Sequence, residues 1–194
     1  MNASLKGGGN VEKIEQQEQV KSTWWHDYFL KMTGQHQQVS HRANMVDACT
    51  GGIGGFLGIG TLLLLTQWTN APWLMASLGA SCVLVFVAWN APFSQPKNVI
   101  GGHLLSGIIG LSFFTLFGSH PLAISAAVGL TIFAMMLTKT VHPPAGGNPI
   151  IIMLGSYSWS YLFAPILIGS IIIVLYAVIL NNIRQNRHYP LYWW

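Results

Sequence analysis

Beyond Asp47 this chain has no carboxylate. All five acids, Glu12, Glu15, Glu18, Asp27 and Asp47, lie near the amino end, and from Ala48 to Trp194 the only Lys or Arg residues are Lys97, Lys139, Arg184 and Arg187. That absence removes whole classes of chemistry. A nucleophilic hydrolase needs a base oriented by an acid, and a cation carrier or proton pump ordinarily keeps an Asp or Glu at membrane depth. Charge of either sign is scarce, at 7% against 52% hydrophobic residues, where a soluble domain carries about a quarter charged residues. Cysteine is scarce too. Cys49 and Cys82 both sit in apolar runs and read as small buried hydrophobes rather than a disulfide framework. His103, His120 and His142 have spacings that match no ligand pattern, and neither Cys nor carboxylate joins them, so neither a metal site nor a cofactor is expected. The glycines at 51, 52, 54, 55, 58 and 60 precede no phosphate-cradling Lys-Ser/Thr. Spaced by four, they read as a helix-packing face, as do Gly102, Ser106 and Gly110.

What the chain does have is long apolar runs: Ala48–Trp68, Pro72–Trp89, Val99–Phe117, Pro121–Thr138 and Tyr161–Leu180, with a short one at Pro149–Gly155. About 20 residues of helix cross roughly 30 Å of hydrocarbon, so the chain reads as a polytopic α-helical membrane protein, with the lipid bilayer as its first partner. Lys and Arg accumulate on the cytoplasmic side of such proteins. Here they sit in the amino-terminal arm (Lys6, Lys13, Lys21, Lys31, Arg42) and at the carboxyl end (Arg184, Arg187), which puts both termini in the cytoplasm and makes the number of crossings even. The net charge of +4 is then a topology signal and not a nucleic-acid patch. Residues 1–44 are expected to form a cytoplasmic arm whose aromatic stretch at 23–32 suits the headgroup level. Residues 45–183 form the transmembrane domain, and 184–194 a basic, aromatic cytoplasmic tail.

An even count requires the stretch from His142 to Tyr157 to cross as well. Six crossings then fall into two triplets, 48–117 and 121–180, one starting inside and the other outside. The expected fold class is an all-α membrane protein of four full transmembrane helices plus two interrupted, half-helix elements, arranged as a 3+3 inverted repeat. Paired interruptions in corresponding positions point to a transporter binding site. The first is placed at Ser77-Leu78-Gly79-Ala80-Ser81 and the second at Pro143–Asn148.

The second break is the densest feature of the chain. Thr140-Val141-His142-Pro143-Pro144-Ala145-Gly146-Gly147-Asn148-Pro149 sets helix breakers between two apolar runs, and broken backbone at membrane depth survives only inside protein or along a polar cavity. Half-helices starting near Asn148 and near Ala80-Ser81 would aim free N–H groups and positive dipole ends at the midplane, making an anion site without a buried cation. Gly79, Ala80, Ser81, His142, Pro143, Pro144, Ala145, Gly146, Gly147 and Asn148 form the candidate binding set. The competing reading is that Gly79-Ala80-Ser81 simply permits close helix packing, and for Ser81 alone the two readings are even. His142 is expected at the cytoplasmic mouth as a hydrogen-bond donor, a proton-coupling group or a structural cap for freed carbonyls. Gln95, Asn98, His103 and Lys139 are assigned to access or support, and His120 to solvent.

His142-Pro143-Pro144-Ala145-Gly146 resembles the signature of the HPP family of integral membrane proteins. Gly79-Ala80-Ser81 with Phe86 downstream, and Gln95-Pro96 followed by Asn98 and Gly102-His103, are similar to its further motifs, so the resemblance spans residues 45–180. It implies a domain of four full membrane spans. Some members, in chloroplasts and cyanobacteria, are associated with nitrite transport, so nitrite is the implied substrate. An arm bearing Gln and Glu and poor in Arg and Ser does not read as a transit peptide, which favours a bacterial inner membrane. A non-transporting scaffold or sensor, oligomerising through its small-residue faces, is the competing reading; a catalytic role is not expected.

Overall fold

The computed structural model describes Tyr28, Lys31, Met32 and residues 44–194. The chain divides into two units, Met1–Arg42 and Ala43–Trp194. Of the first, the three described residues are helical and exposed; the rest of the expected arm and its interfacial helix lie outside the described residues. Among the described residues of the second unit there are six α-helices and no strand. They are α1 (Met45–Thr69), α2 (Ala76–Val87), α3 (Pro96–Phe117), α4 (Pro121–Leu137), α5 (Asn148–Gly155) and α6 (Ile168–Ile183).

Each helix begins and ends for a local reason. Asn44 caps α1, its side chain accepting from the Val46 N–H at 3.0 Å, and Asn70 closes it in the left-handed region at φ 54°. Pro96 and Pro121 open α3 and α4, where a missing N–H costs nothing. His120, expected to be merely solvated, is the N-cap of α4 and accepts from the Ala123 N–H through Nδ1 at 3.3 Å. α4 stops at Lys139, left-handed at φ 56°, and the Thr140 N–H returns to the Met135 carbonyl at 2.9 Å.

Three helices are long and apolar enough to cross a membrane: Met45–Thr69, Pro96–Phe117 and the continuous stretch Trp159–Ile183. α4, with 17 residues, falls just short of that length. The Trp159–Ile183 stretch is not one regular helix. Its first part is a 3-10 turn (Trp159–Leu162) and a wide turn (Phe163–Leu167) in which Ala164 has φ −132° and ψ 115°. Pro165 explains this, since it has no N–H and pushes the preceding residue toward extended backbone.

α3 is the hub and packs against α4, α5, α6 and the second break, whereas α1 lies at the periphery against α2 and α6. Lipid is as apolar as a leucine side chain, so helices in a bilayer associate through close packing rather than expulsion of water. Glycines permit that closeness. A Cβ on Gly54 of α1 would meet the Phe86 ring of α2 at 2.6 Å, and one on Gly110 of α3 would meet Pro149 Cα at 2.9 Å. Gly52, Gly55 and Gly60 have nothing within 4 Å, so only part of the α1 glycine face is used for packing among the described residues.

Candidate functional site

Both expected interruptions have a counterpart in the structure, but the first is not broken where expected. Residues 77–81 lie inside α2, which runs from Ala76 through Val87 without a kink. The non-helical part is upstream, at 72–75. Pro72, followed by a bulky Trp, fits extended backbone better than a Gly-Ala-Ser run that any helix accepts. The second break is as expected: extended backbone at 140–142, a 3-10 turn over Pro143–Gly147, then α5.

These elements bring four of the expected side chains into one cluster. Ser81, His103, His142 and Asn148 are all fully buried. Ser81 Oγ lies 2.8 Å from His103 Nε2 and 2.7 Å from His142 Nε2. Asn148 Nδ2 is 3.0 Å from His103 Nδ1 and 2.7 Å from Ser106 Oγ. Two serines that the sequence reading left out of the candidate set complete the cluster. Ser77 Oγ donates to Asn148 Oδ1 at 2.7 Å, and Ser106 Oγ donates to the His103 carbonyl at 2.9 Å. Their signal was helical spacing: Ser77 is one turn before Ser81, and Ser106 is three residues after His103.

The partners fix the tautomers. The Phe93 carbonyl, 2.7 Å from His142 Nδ1, can only accept, so Nδ1 carries the proton and Nε2 accepts. Asn148 Nδ2 donates to His103 Nδ1, so the His103 proton is on Nε2 and points at Ser81. One directed chain satisfies both imidazoles: Asn148 to His103, His103 to Ser81, Ser81 to His142, and His142 to the Phe93 carbonyl. The Ser77 carbonyl, 2.9 Å from Ser81 Oγ, is a second acceptor for that hydroxyl.

His142 is therefore closed in by protein on every side, between Ser81 of α2 and the Phe93 carbonyl of the loop before α3. Glycine makes room for it, since a Cβ on Gly102 would lie 2.8 Å from both His142 Cβ and the Thr140 carbonyl oxygen. Asn98 braces the same segment by donating to the Val141 carbonyl at 3.0 Å. Gln95 supports the loop before α3, donating to the Trp89 and Ala91 carbonyls and accepting the Leu191 N–H at 2.8 Å. Ala145 is buried in the 3-10 turn, its N–H bonded to the His142 carbonyl. Pro144, Gly146 and Gly147 are half-buried and Pro143 is exposed. Three candidates stand apart. Gly79 lines the groove between α1 and α2, Ala80 is exposed on α2, and Lys139 is an exposed turn residue.

The carboxyl tail is more than a topology signal. Asp47 Oδ1 binds Arg184 Nη2 at 3.0 Å and Arg187 Nη2 at 2.8 Å, tying the start of α1 to the end of α6. Arg187 also donates to the Phe86 carbonyl and to Asn181 Oδ1. The buried Tyr189 hydroxyl donates to the Ser94 carbonyl at 2.7 Å, and burial pushes its phenol above the ordinary range, keeping it protonated.

Three helices long and apolar enough to cross a membrane, two interrupted segments and a buried serine–histidine–asparagine cluster define an integral membrane protein that is all-helical among the described residues. The chain belongs to the HPP family: the family model for the HPP transmembrane region matches residues 40–190. Two similar proteins are transmembrane proteins of Dictyostelium discoideum. One is 33% identical over 179 residues, covering 86% of this chain and 57% of that protein. The other is 36% identical over 129 residues, covering 62% of this chain and 45% of that protein. This chain thus spans about half the length of the curated relatives it matches. No solved structure matches it.

Proposed function

We propose that this chain moves a small inorganic anion, nitrite first among them, across a bilayer, and that the anion is held where α2 and α5 begin. The observation that carries this reading is the 2.7 Å hydrogen bond from Ser77 Oγ, on the second residue of α2, to Asn148 Oδ1, on the first residue of α5. Two helix amino ends that meet bring two positive dipole ends to one point. No carboxylate beyond Asp47 opposes an anion there. Ser77, Ser81 and Asn148 supply hydroxyl and amide groups, and no atom lies within 4 Å of where a Cβ would stand on Gly146 or Gly147, leaving backbone open to close approach. Gly79, with nothing within 4 Å of where a Cβ would stand, and the exposed Ala80 then stand outside the coordinating set. Nitrite is favoured by the family's association with its transport, and both chain ends are proposed to face the cytoplasm at a plasma membrane.

One observation favours a second reading, a non-transporting scaffold: the cluster is fully buried and its members satisfy one another, as in a latch that locks the break closed. Liposomes reconstituted with the full chain separate the two when influx of nitrite, nitrate, formate and chloride is followed against protein-free vesicles. Saturable movement of nitrite is expected. If no anion moves under any gradient, the scaffold reading takes its place.

A further inference from the structure

The cluster has the hydrogen-bonding capacity to hold one added proton, and at one atom. Ser81 has a single hydroxyl proton but three partners: His103 Nε2 at 2.8 Å, His142 Nε2 at 2.7 Å and the Ser77 carbonyl at 2.9 Å. In the neutral cluster His103 Nε2–H donates to Ser81 Oγ, and Ser81 donates onward to His142 Nε2. A proton added to His142 Nε2 forms an N–H bond there and turns that nitrogen into a second donor toward Ser81 Oγ. The hydroxyl then swings to the Ser77 carbonyl, which already stands within reach. No O–H bond breaks, and every donor still finds an acceptor. An added proton in a dry site is costly for its charge and for any donor left unpaired, and here a built-in alternative acceptor removes the second cost.

His103 has no such provision. Its free lone pair is on Nδ1, which accepts from Asn148 Nδ2. Protonating it sets donor against donor unless the Asn148 amide turns over, and that would present the amide nitrogen to Ser77 Oγ, which now donates to Oδ1. The remaining titratable and charged groups on the surrounding elements are engaged elsewhere or exposed. Cys82 of α2 packs toward Gly58 of α1. Lys97 at the start of α3 is half-buried and Lys139 after α4 is exposed. Arg187 is committed to Asp47, Asn181 and the Phe86 carbonyl, and Tyr189 to the Ser94 carbonyl. α5 carries no titratable side chain.

We infer that anion transport by this chain is coupled to protons, one per anion, and that the proton rides on His142 Nε2 across the Ser81 bridge. The inference rests on the transport reading and names its coupling ion. A lone anion or a lone proton in the packed domain carries uncompensated charge. Together they enter as a neutral pair; on release the Nε2–H bond breaks, the proton leaves with the anion, and the Ser81 hydroxyl swings back from the Ser77 carbonyl to donate to His142 Nε2.

The test uses liposomes of the full chain with a trapped pH dye, potassium and valinomycin to set the membrane potential, and an inward nitrite gradient. Protein-free vesicles correct for unassisted nitrous acid. The expected result is lumenal acidification that tracks nitrite entry one for one, with an entry rate insensitive to the imposed potential. His142→Gln keeps a polar amide but cannot titrate, and should cut proton-linked entry by about tenfold or more and flatten its pH dependence. Should that variant not fold, Ser81→Ala, which keeps both imidazoles but removes the bridge, is expected to lose proton-linked entry in the same way. Nitrite entry that follows the potential without acidification overturns the coupling and leaves the transport reading standing. Absence of any protein-dependent nitrite entry overturns both.

Discussion

The two interrupted elements are held in place by different means. The first break, 72–75, is tethered by its own neighbour in sequence: the Trp73 N–H donates to Thr66 Oγ1 at 3.2 Å and Trp73 Nε1 to Thr69 Oγ1 at 2.7 Å. Its helix is then pressed against the glycine face of α1. The second, 140–155, is held by partners far away in sequence, with Asn98 on the Val141 carbonyl, the Phe93 carbonyl on His142, and Ser77 on Asn148. A locally tethered break is a packing device that tolerates substitution. A break pinned by a buried, directed hydrogen-bond network is intolerant of it, because every lost partner leaves another group unpaired where neither lipid nor water replaces it.

Substitutions in the two elements should therefore differ in cost. Asn148→Ala removes the hub of the network and leaves Ser77, Ser106 and His103 Nδ1 each short of a partner. We expect about 3 kcal/mol of lost stability, read as a fall in the thermal midpoint of the chain in detergent micelles. Gly102→Ala places a Cβ 2.8 Å from the Thr140 carbonyl oxygen and His142 Cβ, and backbone cannot yield as a side chain can. About 2 kcal/mol is expected there. Gly54→Ala meets side-chain atoms alone, the buried Phe86 ring, and with no backbone in the way it should cost less in the same melt. Asn98→Ala should cost about 1 kcal/mol. Trp73→Phe, which deletes an exposed tether of the first break, should shift the midpoint least, by well under 1 kcal/mol. Equal losses at Trp73 and Asn148 would erase the distinction between the elements.

The sequence made some of this visible. The apolar runs located every helix from α1 to α6, because membrane-depth helices must satisfy their backbone internally and so stand out as uninterrupted apolar length. The second break was legible because Pro143, Pro144 and Pro149 forbid a regular helix. The first was misplaced by a few residues, because Gly79-Ala80-Ser81 resembles a weak point and yet is compatible with helix. Pro165 was an equally strong breaker, hidden inside the run Tyr161–Leu180. Individual site residues were legible as polar groups stranded among apolar ones: Ser81, His103, His142 and Asn148. Their mutual contacts were not, because they join α2, α3, α5 and the second break across long sequence separations. Ser77 and Ser106 read as part of the first break and of a small-residue packing face, because a lone serine at helical spacing carries no sign of a distant side-chain partner. The burial of Arg187 was invisible for a similar reason. A tail arginine beside a membrane span reads as a topology signal until the fold returns Asp47 to it.

The central claim is that the buried cluster where α2 and α5 meet is the path of a small anion. It is tested most directly by isotopic nitrite uptake into liposomes carrying the native chain or Ser81→Ala, with helix content and monodispersity checked for both. If the anion takes that path, uptake by the native chain is saturable and falls by about tenfold or more in a folded Ser81→Ala protein. Uptake by folded Ser81→Ala equal to that of the native chain would contradict it.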